Sequence, residues 1–385
     1  MHRRCGTLLG ADPQRRPAVE PFATLRSSGM MQRTPGFPRD SEQELRVPID
    51  ALRQFVVGLL VHKGMFEAEA RIAADRMVEA DARGTYSHGT WALKRYLDAM
   101  DAGDIDPRAQ VLTLREGPST AALDGGNGLG HVAATRGMQL AIRKARETGV
   151  GAVTVVRGQH YGAASVYALL AARDGLIGLT TTNTGSPTVA GYGSRQALTA
   201  NNALAWACPV RNGPPIVLDM AVGETSWGKI AAHRLYGLPI PEKWAWDAEG
   251  RSTTDPNAAT TILPAAGARG FGLAVMCGVF SGVLAGGRFA TQKKTSPFAA
   301  GSEHFFLALD PEHFTDRETY FDEIDRTIQA IRAAEPADGF DRVRVPGEPE
   351  AEHESQAVTE GIPLHRDHAA ELAELAAAAG IEVPW

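Results

Sequence analysis

The sequence predicts an α/β protein in which a sheet domain is joined to a helical domain built from both chain ends. From Ser119 the chain alternates strand, turn, helix and strand (STAALD, GGNGLGH, VAATRGMQLAIRKARETG, GAVTVVRG), a pattern typical of an α/β core. Helical signal precedes this region and returns over 321–328 and the alanine-rich 366–379. The 385 residues, 44% of them hydrophobic, suffice for a large core and more than one domain.

The N-terminal part divides into an extension and three helices. Residues 1–44 are rich in Arg, Pro, Gly and Ser without a sustained period, so we predict a disordered extension. A start codon at Met30 or Met31 is favoured over an organellar transit peptide. The helical domain is predicted over 45–118, because apolar residues after Pro48 follow the i, i+3, i+4, i+7 spacing of one buried face: Leu52, Phe55, Val56, Leu59 and Leu60. Two more helices are predicted, over 68–82 and 91–102.

The sheet domain is predicted over 119–300. Apolar runs at 176–183 and 214–220 predict further strands, and the run at 271–284 predicts a buried helix. Gly and Pro mark each junction. Residues 301–385 are assigned to the helical domain, as a return of the chain to its N-terminal layer.

Composition excludes several classes of function. The net charge of -6 and scattered basic residues argue against nucleic acid or an anionic membrane as partner. Cys5, Cys208 and Cys277 are too few for a disulfide framework or a zinc site, which favours a reducing cytoplasm. No apolar run approaches the roughly 20 residues of a membrane span. His365, His368 and His353 lack a third ligand at regular spacing, so no metal is expected.

A glycine motif follows the first strand of the sheet domain. Gly128, Gly130 and Ala133 match G-x-G-x-x-A, the fingerprint of a dinucleotide site. The acidic residue expected about 20 residues later is Glu147, which precedes the next strand instead of ending it. We therefore interpret the motif as a turn that lets a helix pack closely on a strand, and place no cofactor there.

Two histidines lie where reactive groups are expected. His88 lies between two helices, next to Ser87, and its imidazole can exchange a proton with a carbonyl oxygen near neutral pH. His160 lies where a strand passes into a helix, and the N–H groups of that helix start favour a carboxylate or phosphate. For each, a structural histidine in a loop is the alternative.

Two charged residues suit a cofactor. Asp219 ends the strand at 214–220, where a carboxylate can accept ribose hydroxyls. Arg269 lies in a glycine-flanked turn, where a cation can meet a phosphate. A turn-capping aspartate and a solvated arginine are the alternatives.

Six segments in order (ADARGTYSHG, RGQHYGA, IVLDMA, WAWDAEGRSTTDP, LPAAGARGFGLA and VPGE) resemble the malate/L-lactate dehydrogenase type-2 family over roughly residues 48–365. The branch of ureidoglycolate dehydrogenases is particularly similar. The resemblance implies a homodimer with a non-Rossmann α/β fold, whose mixed-sheet domain binds NAD or NADP in an extended groove.

The resemblance also implies roles for residues. His88 and His160 match the family's acid/base histidines, Ser87 is assigned to substrate binding, and Thr184 falls near a substrate-contacting position. The implied cofactor contacts are Asp219, Met220, Ala221, Arg269, which stands in place of a lysine, and Gly347 with Glu348.

One departure concerns the substrate. The family's arginine five residues after the serine is Ala92 here. Arg95, one helical turn further on, can reach the same space, so we assign it to a substrate carboxylate.

The expected reaction is hydride transfer between NAD or NADP and C2 of a small 2-hydroxy or 2-oxo acid of the malate, lactate or ureidoglycolate type. His160 is favoured as the base, with His88 hydrogen-bonded to the substrate oxygen. Reduction of a cyclic imino acid, and a catalytically weak cofactor-binding protein, are the alternatives. The sequence does not choose between NAD and NADP.

Overall fold

The computed structural model describes residues 37–293 and 297–385. Its helices are α1 Ile49–His62, α2 Glu67–Ala82, α3 Leu93–Asp101, α4 Gly130–Thr148, α5 Ser165–Arg173, α6 Trp227–Leu235, α7 Ala268–Cys277, α8 Pro297–Ala300, α9 Arg317–Arg332, α10 Glu348–Glu360 and α11 Arg366–Ala379. Its strands are β1 Glu44–Val47, β2 Leu112–Glu116, β3 Thr120–Asp124, β4 Val150–Gly158, β5 Ile177–Asn183, β6 Val189–Ala190, β7 Ala197–Thr199, β8 Ala203–Cys208, β9 Ile216–Ala221, β10 Ala245–Trp246, β11 Ser252–Thr253, β12 Thr261–Ile262, β13 Ser302–Leu309 and β14 Ile362–His365.

The main sheet has seven strands in the order β2-β3-β4-β13-β5-β8-β9. Only β3 and β4 run parallel, and the other neighbours are antiparallel. Helices α4 and α5 pack on this sheet and bury its apolar residues. A Rossmann domain has a mostly parallel sheet, so the mixed sheet confirms the prediction of a non-Rossmann α/β fold.

The position of β13 differs from the boundary expected at residue 300. We assigned 301–385 to the helical domain, but β13 lies in the middle of the sheet, between β4 and β5. Phe306, which is fully buried, is opposite Val153 on one side and Thr180 on the other. β13 and β4 are about 150 residues apart in the chain, and their pairing completes the sheet. The local periodicity of a sequence does not predict such a distant partner strand.

The helical layer is built from both chain ends. The five apolar residues predicted for one face of α1 are all buried. At the other end of the chain, β14 pairs antiparallel with β1, α11 packs on α1, and the ring of Trp385 lies edge-on to Phe55 at 5.3 Å.

The predicted disordered extension, 1–44, lies mostly outside the described residues. Its described part, from residue 37, is structured: Asp40 caps a 3-10 turn at Ser41–Gln43, and Glu44 begins β1. The guanidinium of Arg39 binds the carboxylate of Glu44 and donates to the hydroxyl of Tyr86 at 2.8 Å. The contact with Tyr86, 47 residues away, helps to order a segment whose composition alone favours disorder.

The helix predicted over 271–284 is present, as α7 followed by a π-helical turn at Gly278–Val283. The expectation that it is buried is wrong. Six apolar side chains, which we call the apolar face, are 39–60% exposed: Leu273, Met276, Val279, Phe280, Val283 and Leu284. Within the described ranges, no helix is both long and apolar enough to cross a bilayer.

Candidate active site

The first histidine lies in a short loop after α2, residues 85–90, which we call the His88 loop. Its backbone forms 3-10 turns at Tyr86–His88 and Thr90–Ala92. The hydroxyl of Ser87 lies 2.7 Å from Nδ1 of His88. Helix α6 closes over the loop so tightly that a Cβ on Gly228 would lie 2.6 Å from Cβ of Ser87. The loop is therefore held by packing, with the ring of His88 only partly exposed.

The second histidine follows β4. A Cβ on Gly130 would lie 2.0 Å from the carbonyl oxygen of Gln159 and 2.6 Å from that of His160, so only glycine fits there. The glycine motif thus packs α4 closely against the segment that follows β4, as we interpreted it. Nδ1 of His160 lies 2.6 Å from the hydroxyl of Tyr96, and the N–H of Gly162 points to the same nitrogen at 3.3 Å.

The two rings face each other as a histidine pair. Their centroids are 5.8 Å apart and their planes are tilted by 28°. Among the described residues, neither Nε2 atom of the pair has a hydrogen-bond partner. These two nitrogens are therefore available to a ligand.

Both imidazoles are held neutral. Burial, reinforced by the charges of Arg95 and Lys229, lowers the pKa of His88 to about 4. Burial also lowers the pKa of His160 well below its ordinary value, and His88, Arg95 and two further histidines add to the effect. Each ring therefore has one nitrogen with a lone pair and one with a proton at neutral pH.

Two cations lie beside the pair without a carboxylate partner in the described part of the chain. Arg95 is exposed, and its charge acts on both histidines. Lys229 is half-buried in the first turn of α6, and burial lowers its pKa although Asp219 and Glu350 oppose that shift. An anionic substrate would neutralise this uncompensated positive charge.

Asp219 lies on the edge strand β9 and reaches the His160 segment. Its Oδ2 accepts a hydrogen bond from the backbone N–H of Ser165, the first residue of α5, at 2.9 Å. Desolvation of the carboxyl group raises its pKa although this hydrogen bond favours the charged form. Ser165 is five residues after His160, so this hydrogen bond joins Asp219 to the segment that contains His160.

The remaining predicted cofactor residues lie along β9. Gly347, with φ 91°, directly precedes α10 and packs on the backbone of Val217, whose N–H donates to the carbonyl of Pro346 at 2.9 Å. At the other end of β9, the turn before α7 is joined to Val222, and Arg269 is exposed in the first turn of that helix. Met220 and Ala221 are half-buried within β9.

Glu348 differs from the others in already having strong partners. Its carboxylate binds the guanidinium of Arg332 and accepts the N–H of Val345 at 2.8 Å. These hydrogen bonds lower its pKa against the opposing effect of burial. A cavity of about 690 Å³ lies beside it, lined also by Arg342, Glu352 and Val358.

The residues along β9 fit a nicotinamide dinucleotide. Because β9 is an edge strand, its outer backbone groups are not paired within the sheet. Oδ1 of Asp219 accepts no hydrogen bond from a described residue and can bind ribose hydroxyls. In the first turn of α7 the N–H groups of Ala268 and Arg269 donate to no described residue and can bind phosphate, and Arg269 adds a positive charge.

Other predicted residues have structural partners. The N–H of Thr184 donates to Oδ1 of Asn202 at 3.1 Å, and no described contact joins Thr184 to the histidine pair. His365 caps α11 by accepting the N–H of Asp367, and His368 lies 3.4 Å from the hydroxyl of Thr90. No cluster of three or more metal-ligating side chains occurs among the residues that the structure describes.

Sequence reasoning missed Tyr96, Lys229 and Asp81. Tyr96 falls on the buried face of α3 and looks like an ordinary core aromatic. Lys229 follows Gly228 in a segment without a motif that we recognised. Asp81 lies in the ADARG segment at the end of α2. The available signal was that its carboxylate falls at the helical spacing of the apolar residues on the buried face of α2.

Comparison with known proteins agrees with this geometry. The model of the malate/L-lactate dehydrogenase family matches residues 47–373. The chain is 38% identical to malate dehydrogenase of Pyrococcus horikoshii over 89% of this chain and 97% of that protein. It is 33% identical to the NAD(+) ureidoglycolate dehydrogenase of Escherichia coli K12, over 84% and 93%.

Solved structures give the same result. The P. horikoshii malate dehydrogenase structure superposes with a TM-score of 0.82 at 34% identity, covering 90% of this chain and 99% of that one. The malate dehydrogenase of Entamoeba histolytica gives a TM-score of 0.85 at 29% identity, covering 89% and 100%. The chain therefore belongs to the malate/L-lactate dehydrogenase family of oxidoreductases.

Proposed function

We propose that the protein is an NAD(P)-dependent dehydrogenase that interconverts a small 2-hydroxy acid and its 2-oxo acid. The observation that carries this proposal is the histidine pair beside the unpaired cation Arg95. Two facing imidazoles suit a single oxygen, and a cation nearby suits a carboxylate on the adjacent carbon.

The substrate can be placed by this chemistry. The C2 oxygen lies between the two Nε2 atoms, and the C1 carboxylate is directed towards the guanidinium of Arg95. Lys229, on the opposite element α6, adds positive charge near His88. Relatives named malate, L-sulfolactate and ureidoglycolate dehydrogenases act on acids of this size, which supports the assignment to 2-hydroxy acids.

The chain's own residues handle the proton. During oxidation, the C2–H bond breaks with both electrons and the hydroxyl loses its proton to one histidine. When bound, the nicotinamide supplies the hydride acceptor or donor. The neutral state of both imidazoles at pH 7 leaves one of them free to take that proton.

We also propose a homodimer, formed through the apolar face on α7 and the turn that follows it. Met276, Val283 and Leu284 are each at least half exposed, and a face of this kind on a soluble monomer marks an interaction site. A second copy of the chain is the occupant, as the family resemblance implies. Trp206 and Leu218, which are opposite each other on β8 and β9 and also exposed, extend the apolar surface.

A spectrophotometric screen tests the activity. Purified protein is mixed with NAD or NADP and with malate, lactate, sulfolactate or ureidoglycolate, and absorbance at 340 nm is followed; 2-oxo acids and cyclic imino acids are tested with the reduced cofactors. We expect turnover with at least one 2-hydroxy acid. Turnover with cyclic imino acids only, or tight cofactor binding without any turnover, would contradict the proposal.

A further inference from the structure

The two histidines of the pair are not equivalent, because their Nδ1 atoms have different partners. His160 faces the hydroxyl of Tyr96 and the backbone N–H of Gly162, whereas His88 faces the hydroxyl of Ser87. The partner of Nδ1 decides which tautomer a neutral imidazole adopts and so what Nε2 can do.

His160 must accept at Nδ1. The N–H of Gly162 is a donor only, and it points at Nδ1 from 3.3 Å, so this nitrogen presents a lone pair. Tyr96 is fully buried, which raises its pKa far above the ordinary value, so its hydroxyl keeps its proton and donates it at 2.6 Å. The proton of neutral His160 is therefore on Nε2, the nitrogen available to substrate.

This tautomer limits what His160 can do. An Nε2 that already has a proton can donate a hydrogen bond to a substrate oxygen but cannot receive the hydroxyl proton. To act as a base, His160 would have to move its own proton to Nδ1, against the two donors that point there.

His88 has no such constraint. A serine hydroxyl both accepts and donates and rotates freely between the two. Ser87 can accept from Nδ1–H of His88 at 2.7 Å, which leaves a lone pair on Nε2. When Nε2 takes a proton, the contact with Ser87 stays as it is.

Resting on the proposed function, we infer that His88 carries the substrate hydroxyl proton on Nε2, that His160 donates Nε2–H to the same oxygen, and that Tyr96 is a positioning residue that holds His160 in this tautomer. This reverses the roles that we expected from the sequence. In oxidation, the hydroxyl O–H bond breaks and an N–H bond forms at His88, while the C2–H electron pair leaves as hydride to the bound nicotinamide; reduction runs in the opposite sense.

Matched glutamine variants test the assignment, since a glutamine amide can donate a hydrogen bond but cannot carry a proton. We expect His160→Gln to lower kcat about tenfold and to keep the acid limb of the pH profile. We expect His88→Gln to lower kcat about 10³-fold, within the range for loss of a general acid or base, and to abolish that limb. A larger loss in His160→Gln than in His88→Gln, or equal losses, would overturn the inference.

A measurement without turnover separates this inference from the proposed function. Nitrogen-15 NMR of the imidazoles in the cofactor-free protein reports the tautomer directly. We expect His160 to be protonated on Nε2 in the wild type, and Tyr96→Phe to introduce the other tautomer without lowering the melting temperature by more than a few degrees. Protonation of His160 on Nδ1 in the wild type would overturn the inference even if the enzyme oxidises 2-hydroxy acids. If only the activity screen failed, the proposed reaction would be rejected, whereas the tautomer of His160 would still be decided by the NMR measurement.

Discussion

The carboxylate of Asp81 holds Thr90 by two hydrogen bonds, one from the backbone N–H at 2.9 Å and one from the hydroxyl at 2.6 Å. Both side chains are buried, and a Cβ on Gly89 would lie 1.9 Å from Oδ1 of the same carboxylate. Burial raises the pKa of Asp81 to about 7 although the hydrogen bonds from Thr90 oppose that rise. A carboxyl group thus lies at the base of the His88 loop and binds Thr90, which is two residues after His88 in the chain.

We predict that removing one of these hydrogen bonds displaces the loop. Thr90→Val should lower kcat about tenfold and the free energy of unfolding by about 1–3 kcal/mol, the cost of a buried acceptor left short of a donor. Cofactor affinity, measured by fluorescence quenching, should stay within twofold, because no hydrogen bond or ion pair of the described structure joins Asp81 to β9. Thr90→Ser keeps the hydroxyl and should restore kcat. Damage in Thr90→Ser without damage in Thr90→Val would show that the methyl group, not the hydrogen bond, is what matters.

We predict that Gly130→Ala lowers kcat at least tenfold. The added Cβ would collide with the carbonyl oxygens of Gln159 and His160, and backbone cannot yield as a flexible side chain can. The control is Gly272→Ala, where the Cβ would meet nothing within 4 Å. Steady-state kinetics and thermal melting of both variants check this. Unchanged kcat in Gly130→Ala would contradict the role assigned to the close contact.

We predict that Arg95→Ala raises KM for a 2-hydroxy acid about 10- to 100-fold, the loss of one charge-assisted contact of about 1.5–3 kcal/mol. KM for the cofactor should change little. Lys94→Ala is the matched control, because Lys94 is the adjacent cation but already binds Asp98 at 2.6 Å. If the two variants behaved alike, the carboxylate would have to bind elsewhere, with Lys229 as the alternative.

We predict that His131 makes the protein less stable in acid. This residue is 1% exposed, neither ring nitrogen has a hydrogen-bond partner in the described structure, and burial lowers its pKa to about 3. The folded state keeps it neutral, while the unfolded chain takes up a proton near pH 6.5, so its contribution to stability is present above 6.5 and is lost as pH falls.

Urea unfolding at pH 7 and pH 5 measures this effect. Between these values, the wild type should lose about 2 kcal/mol more than His131→Phe, following the linkage relation. Parallel losses in the two proteins would mean that His131 is protonated in the folded state or has a partner in solution.

We predict that the pair Val283→Glu and Leu284→Glu converts a dimer to a monomer, because two carboxylates on each copy would be buried unpaired at the interface. Light scattering after gel filtration gives the mass. Leu114→Glu is the control, since Leu114 is 54% exposed on β2, outside the apolar face. A wild-type monomer, or a dimer that survives the double change, would contradict the proposed interface.

The sequence predicted most elements whose signal is local. The buried face of α1 follows from the spacing of its five apolar residues. The glycine motif packs α4 closely on the segment after β4, as its position between a strand and a helix predicted. Both inferences need only neighbouring residues, so the periodicity and turn rules were sufficient.

The sequence could not predict what depends on distant contacts. The sequence of β13 does not say which strands it joins, and the exposure of the apolar face becomes visible only once α7 is placed on the sheet. In the site, both histidines were found by their positions in loops. The roles that we expected for them were based on resemblance, and the contact between Tyr96 and His160, 64 residues apart, has no sequence signature.

Transfer of deuterium is the most direct test of the central claim that a 2-hydroxy acid gives its C2 hydride to the nicotinamide. A 2-deuterated substrate found in the absorbance screen is oxidised to completion, and the reduced cofactor is analysed by NMR and mass spectrometry. The account predicts one deuterium per molecule, on C4 of the nicotinamide and on one face only. Deuterium released to water, or retained in the organic product, would show that C2 is not the hydride donor and would contradict the account.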